Sequence, residues 1–256
     1  MLGTGTILNR LYERLESHAK NRLIDDLRVG LSYVGVKLDN GEAGIAALLP
    51  GKTFKSCTVL REAGTYAGSG AADMLRYLVE CKDSLHLAMG LALANALIGT
   101  PVTTTEDRDA TTYFNLKPGE KVAMIGLFAP LVERIRAAGA ILTIIEKNPD
   151  RLNILSPDEQ QQTLKNCDVA IITATTLLNN TFEETVSALG TPRLVALIGP
   201  STPLSPEIFS DTPVTQLGGA VVADSRRVLQ IISEGGGTPA LRPYLKFVNF
   251  ILKPLN

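Results

Sequence analysis

From Lys121 onward the chain repeats one pattern: a short continuous apolar run, then a longer stretch with apolar residues at helical spacing. "KVAMIG" precedes "PLVERIRAAGA", "ILTIIE" precedes "SPDEQQQTLKNC", and "DVAIITAT" precedes "NTFEETVSALG". "RLVALIG" is a fourth apolar run, and "VTQLGGAVV" holds a fifth before "DSRRVLQIISEGGG". A strand that is apolar at every position must be buried on both faces, which happens where helices cover both sides of a parallel sheet. Parallel neighbours in turn need a crossover long enough for a helix, and these spacings supply one. The spacing predicts a small doubly wound, Rossmann-like α/β domain over residues 111–256. The tail "LRPYLKFVNFILKPLN" is apolar enough to dock on this body or on a second subunit, which would make a homodimer.

The first half has a different grammar. Leu8, Leu11, Leu15, Leu23 and Leu27 recur at helical spacing with charges between them and predict an opening helix. "RVGLSYVGVKL" reads as a strand, and "DNGEAG" (Asp39–Gly44) as a turn that makes a hairpin with "IAALLP". "SCTVLREAG" is a candidate third strand. Two helices follow, one from about Ala71 to Cys81 and one from an Asp83 or Ser84 cap to about Ile98. Helix, strands, then helices make a small α+β unit over residues 1–110. "GTPVTTTEDRDATTY" (Gly99–Tyr113) lacks periodicity and reads as a linker or a loop at the edge of a cleft.

Composition excludes several classes of function. The 25 Lys and Arg balance 26 Asp and Glu, for a formal net charge of −1, and no basic cluster occurs, so no nucleic-acid partner is expected. The longest near-apolar run, Leu85–Gly99, is too short for a bilayer and carries His86 and Asn95, so no membrane partner is expected either. The amino-terminal stretch lacks the apolar run of a signal peptide. Cys57, Cys81 and Cys167 are far apart and odd in number, which is no disulfide framework; they read as small core residues of a cytoplasmic protein.

Open parallel sheets bind ligands beyond the carboxyl ends of their strands, where helix N-termini and loop amides point. The candidate site residues are therefore Gly126 and Phe128 after the first run, Glu146 after the second, Thr173, Thr175, Thr176, Asn179 and Asn180 after the third, and Gly199, Ser201 and Thr202 after the fourth. Asn95 could reach the same cleft from the first domain, or could bond between packed helices. "GLFAPL" keeps only the first glycine of G-x-G-x-x-G, and Phe128 and Pro130 obstruct a pyrophosphate, which disfavours NAD. Glu146 lies where an acidic residue can bind a ribose, or it is a strand-end carboxylate. Asn180 or Thr181 could cap the next helix, and Ser205 with Pro206 reads as a helix start. No nucleophile elbow, zinc motif or P-loop occurs, so the catalytic residues are unassigned.

The combination of "MIGLF", "IIEKNP", "DVAIITATTLLNNTFEE", "LIGPSTPLSP", "LGGAVVAD" and "ISEGGG", with "MGLALANALIG" in the first half, resembles the "putative heavy-metal chelation" domain family. The resemblance covers most of residues 85–237 and is looser before them. It implies an enolase N-terminal-like domain followed by a Rossmann-like domain, with the active site in the cleft between the two. Leu127 stands where that family often has a polar residue, commonly His, and "LNNT" stands where "VNGT" is commoner. Together these features lead to the expectation of a small polar or anionic ligand, with a heavy metal or metal chelate as the implied cofactor, bound in an interdomain cleft. Two other readings stay open: a transferase or lyase with a nucleotide-like cofactor, and a non-catalytic partner in a metal-cofactor assembly.

Overall fold

The computed structural model describes residues 6–49, 58–80, 83–100, 110–149, 152 and 154–253. Helix α1 (Ile7–Ala19) buries Ile7, Leu8, Leu11 and Leu15 on one face and starts at Thr6, whose hydroxyl accepts from the Asn9 amide. Three antiparallel strands follow: β1 (Ile24–Val29), β2 (Tyr33–Leu38) and β3 (Ala43–Ala47), in the order β1-β2-β3. Asn40-Gly41 makes the β2–β3 turn, with Gly41 at φ +89°. Helices α2 (Ala71–Leu75) and α3 (Tyr77–Glu80) lead to α4 (Ser84–Ile98), which is capped by the Asp83 carboxylate and buried nearly all round.

Four sequence expectations change here. The opening helix ends at Ala19: Leu23 bridges Gly70, and Leu27 lies in β1 opposite Val36, so strand pairing overrides the helical spacing. "RVGLSYVGVKL" is a hairpin, because the Gly30 amide donates to the Tyr33 carbonyl and turns the chain back between Val29 and Val34. Residues 58–64 form turns instead of a strand, and the third strand is β3. The expected Ala71 helix is two short ones, α2 and α3, with Cys81 outside the described residues.

A larger sheet is built from β4 (Lys121–Ile125), β5 (Ile141–Ile145), β6 (Val169–Thr173), β7 (Leu194–Ile198), β8 (Gln216–Val222) and β9 (Leu245–Ile251), in the order β5-β4-β6-β7-β8-β9. The first five strands are parallel, and β9 pairs antiparallel with β8. The apolar tail is thus the edge strand of this sheet. The connecting helices are α5 (Ala129–Ala137), α6 (Pro157–Asn166), α7 (Thr175–Leu178), α8 (Phe182–Ser187) and α9 (Ser225–Ser233), followed by α10 (Thr238–Leu241). One sheet face, with Val122, Met124, Val169 and Leu194, packs on α5 residues Leu131 and Ile135. The other face, with Ala123, Ala170, Val195 and Leu197, joins a core that runs through α6 and α8 into the amino-terminal unit.

Glycines set how closely the two sheets' elements approach. A Cβ on Gly44 would lie 2.3 Å from the Ala92 carbonyl oxygen and the Ala96 nitrogen of α4. On the opposite face, a Cβ on Gly35 would lie 2.7 Å from Leu229 of α9, and one on Gly30 would lie 2.2 Å from the Ile232 oxygen. The small sheet is therefore held between α4 and α9, and Tyr33 and Ile45 share a core with Val228 and Ile232. The Tyr33 hydroxyl also hydrogen bonds to that of Thr238, at 2.7 Å.

At the amino edge of the large sheet, Arg193 donates to both oxygens of Glu120 at 2.6 and 2.8 Å and to the carbonyls of Phe114 and Asn115. The Arg193 hydrogen bonds hold the Glu120 carboxyl below its ordinary value. A carboxylate with a depressed folded-state pKa stabilises the fold above its unfolded value, about 4.3, and that share is lost as pH falls through the folded value. Acid titration of unfolding should show this loss, and Glu120→Gln should remove that part of the acid dependence. Gly44→Ala should lower unfolding stability in urea by about 2–3 kcal/mol, because the new methyl group meets helix backbone that cannot move alone.

Candidate functional site

The chain leaves β4 for β5 on one side and returns to β6 on the other, so the carboxyl ends of β4 and β6 form the switch point of the sheet, where this topology opens a crevice. Gly126 and Thr173 meet there. Gly126 has φ +85°, its amide donates to the Ile145 carbonyl at 2.9 Å, and a Cβ on it would lie 2.8 Å from Thr173 Cγ2. The Thr173 and Thr175 hydroxyls are 3.0 Å apart and only partly buried. Thr176 lies beneath them, 2% exposed, and donates to the Thr173 carbonyl at 2.7 Å, which anchors the first turn of α7.

Glu146, at the end of β5, is 8% exposed. Its carboxylate accepts from the amides of Lys147 (2.8 Å), Asn148 (3.1 Å) and Leu127 (3.3 Å). It thus ties the β4–α5 loop to the end of β5. Phe128 stands at the start of α5 without a side-chain cap, and its amide donates to the Met124 sulfur at 3.4 Å. The Met124 contact had no sequence signal, since it depends on the turn that brings Phe128 back over the strand it leaves.

The other candidates lie apart from this pair. Asn179 and Asn180 are exposed beyond α7. Asn180 adopts φ +57°, a conformation suited to glycine and tolerated by asparagine, which explains why "LNNT" can replace "VNGT". Of the two expected caps, Asn180 does not start α8 and Thr181 holds the N-cap position, but the Thr181 hydroxyl donates to Asn179 Oδ1 at 2.6 Å and α8 begins without a side-chain cap. Gly199, at φ +126°, donates to the Gly218 carbonyl at 2.9 Å and sits against Ala174.

Ser201 and Asn95 belong to the junction between the two sheets. The Ala47 amide donates to Ser201 Oγ at 2.7 Å, and Asn95 Nδ2 donates to the Ile45 carbonyl at 2.9 Å and the Ser201 carbonyl at 3.4 Å. Ser201 is 2% exposed. Thr202 is equally buried beside it, and its hydroxyl has no partner among the described residues. Ser205 precedes a short 3-10 turn (Pro206–Phe209) without capping it and bonds to Glu207 instead.

A cavity of about 580 Å³ lies elsewhere, at the carboxyl ends of α1 and α4, lined by His18, Asn21, Arg22, Asn40 and Glu42 among others. His86 is held at the start of α4 by the Asp83 carboxylate, 2.7 Å from Nδ1.

No group of three His, Cys, Asp or Glu side chains that could hold an ion occurs among the described residues. A soft heavy-metal ion favours thiolates. Cys167 donates its thiol to the Leu164 carbonyl, and burial pushes its pKa up to about 11, which keeps it protonated. Cys57 and Cys81 lie outside the described residues. The described residues therefore do not fit a protein-built heavy-metal cage. No helix among them is long and apolar enough to cross a membrane.

The fold is that of a doubly wound α/β protein with a small amino-terminal sheet unit, and the Thr173 and Thr175 hydroxyls lie at the switch point of its larger sheet. The chain belongs to the family described as "Putative heavy-metal chelation": its sequence model matches residues 109–251, and a second model of the same description matches residues 12–98. An uncharacterized protein of Methanocaldococcus jannaschii is 26% identical over 113 residues, 43% of this chain and 44% of that protein, so the match spans less than half of that curated relative. Two solved structures, each a protein with unknown function from the DUF364 family, share the fold. The one from Pyrococcus horikoshii has a TM-score of 0.79 at 18% identity and covers 96% of this chain and 100% of its own. The one from Desulfitobacterium hafniense DCB-2 has a TM-score of 0.78 at 20% identity and covers 95% and 98%.

The left-handed residue in the α7–α8 connection gives a direct test. Asn180→Gly should leave thermal stability equal or slightly higher, while Asn180→Val should cost about 1–2 kcal/mol in chemical denaturation.

Proposed function

We propose that the protein binds a small polar ligand at the carboxyl edge of β4 and β6, and that the ligand is a metal complex whose donors come from the chelator. The observation that carries this reading is the pair of partly buried hydroxyls, Thr173 and Thr175, 3.0 Å apart beside Gly126 at the switch point. Two hydroxyls held on a strand end and the first turn of a helix can donate to or accept from ligand oxygens and amines without reorganising. The family description supports a link to metal, while the lack of a three-residue metal cluster among the described residues favours a complex over a bare ion.

The nucleotide reading has less support. Glu146, the residue a ribose would use, accepts three backbone amides, and the β4–α5 loop lacks the glycines of close pyrophosphate approach.

Thermal shift and calorimetry with nickel(II) alone, nickel(II) held by triethylenetetramine, ATP and S-adenosylmethionine test the proposal. The complex at about 100 times its Kd should raise the melting temperature by roughly 5 °C. The Thr173→Val/Thr175→Val double variant should lose that response while keeping its fold. A response to bare nickel alone, or to no complex at all, would sink the reading.

A further inference from the structure

We propose that Glu146 selects the charge of the ligand by filling, from within the chain, the place an anion would take: the β4–β6 edge admits neutral or cationic ligands and turns away phosphate-bearing ones. This rests on the switch-point reading above and names the class of ligand it admits.

In a doubly wound sheet, an anion beyond the first strand is held by the amides of the strand-to-helix turn and the start of the following helix. Here the donors of that turn other than the Ala129 amide are already committed. Leu127 N–H points to Glu146 Oε2, Lys147 and Asn148 N–H to Oε1, and Phe128 N–H to the Met124 sulfur. Pro130, in the first turn of α5, contributes no N–H at all. The carboxylate that fills this nest is buried, so an arriving anion would have to displace it and would meet its charge across a poorly screening medium.

The loops after β4, β6 and β7 carry no positive charge in compensation, while the loop after β5 carries Lys147 and, outside the described residues, Arg151. Gly126–Phe128, Thr173–Thr176 and Gly199–Thr202 contain no Lys, Arg or His. Lys147, exposed at the end of β5, is the basic residue adjoining Glu146 in the chain. Hydroxyls remain as the ligand-facing groups, and hydroxyls serve a neutral or cationic partner as well as an anionic one. The anionic ligand that the sequence allowed is therefore the member of that pair which the tertiary structure disfavours.

One metal in two complexes of opposite charge isolates the effect. Nickel(II) held by triethylenetetramine carries +2 and nickel(II) held by EDTA carries −2; inorganic phosphate serves as a third probe. Calorimetry on the full chain should find the cationic complex bound at least about tenfold more tightly than the anionic one, a gap that largely persists as salt is raised because Glu146 is buried. Glu146→Gln and Glu146→Ala should gain phosphate binding and close the gap, while Glu146→Asp should keep it.

Equal binding of both complexes by the wild-type chain would overturn the charge selection and leave the ligand site standing. Folded Gln and Ala variants that gain no phosphate binding would also overturn it. Binding of neither complex would remove the site and the selection together. Should the variants fail to fold, the wild-type comparison and its salt dependence still decide the matter.

Discussion

The close approach of helix backbone to both faces of the three-stranded sheet is the constraint on which the architecture depends. Gly44 lets α4 lie directly against β3, and Gly35 and Gly30 let α9 lie against β1 and β2 from the other side. Helix α4 belongs to the first half of the chain, and α9 connects β8 to the antiparallel β9 in the second. Strands β2 and β3 are thus largely buried on both faces by two helices 127 residues apart at their nearest ends, from Ile98 to Ser225. Their outer face would expose Tyr33 and Ile45 if α9 were absent. Apolar burial of that kind is worth about 25 cal/mol per Å², so the two halves are joined by core rather than by a hinge.

That junction decides what the β7 loop can do. Its chain path carries Ser201 to the exposed edge of β3, where the Ala47 amide would otherwise lack a partner, and Asn95 reaches across from α4 to the same place. A buried amide without a partner costs more than a made hydrogen bond gains, so these polar groups are strongly specified in position. The hydroxyl-rich loop and the asparagine helix act first as joinery between sheets. Gly126 and the Thr173 and Thr175 hydroxyls stay at the carboxyl ends of β4 and β6, with Gly199 alongside Ala174.

At the crevice itself, a single acidic residue has two readings in sequence and one geometry in space. Glu146 is positioned to meet a ribose in a dinucleotide-binding protein, yet here its carboxylate turns inward to the β4–α5 loop. The physical cause lies in the loop. Without the second glycine the backbone of Leu127 and Phe128 does not open toward a pyrophosphate, and its amides need acceptors inside the protein. Family membership links the chain to heavy-metal chelation by description, while its described side chains form no three-residue metal cluster.

Much of the fold was legible in the sequence. The continuous apolar runs from Lys121 determined a parallel sheet buried on both faces, since no half-exposed strand could carry them, and the Asp83 and Ser156 caps marked two helix starts. The carboxyl-edge loops were legible for the same reason, as topology places them. The small sheet was less legible. Leu23 and Leu27 keep helical spacing inside a strand segment, and Gly30 hides a turn within an apolar run, because pairing with β2 contributes more than local propensity does. Which of the edge residues are tied to the backbone within the chain was decided only in three dimensions. Ser201, Asn95 and Glu146 look alike in sequence to Thr173 and Thr175, all polar residues at strand or helix ends. Burial then required each of the first three to find a backbone partner within the chain, while the two partly buried threonine hydroxyls bond to each other at the ends of β6 and α7.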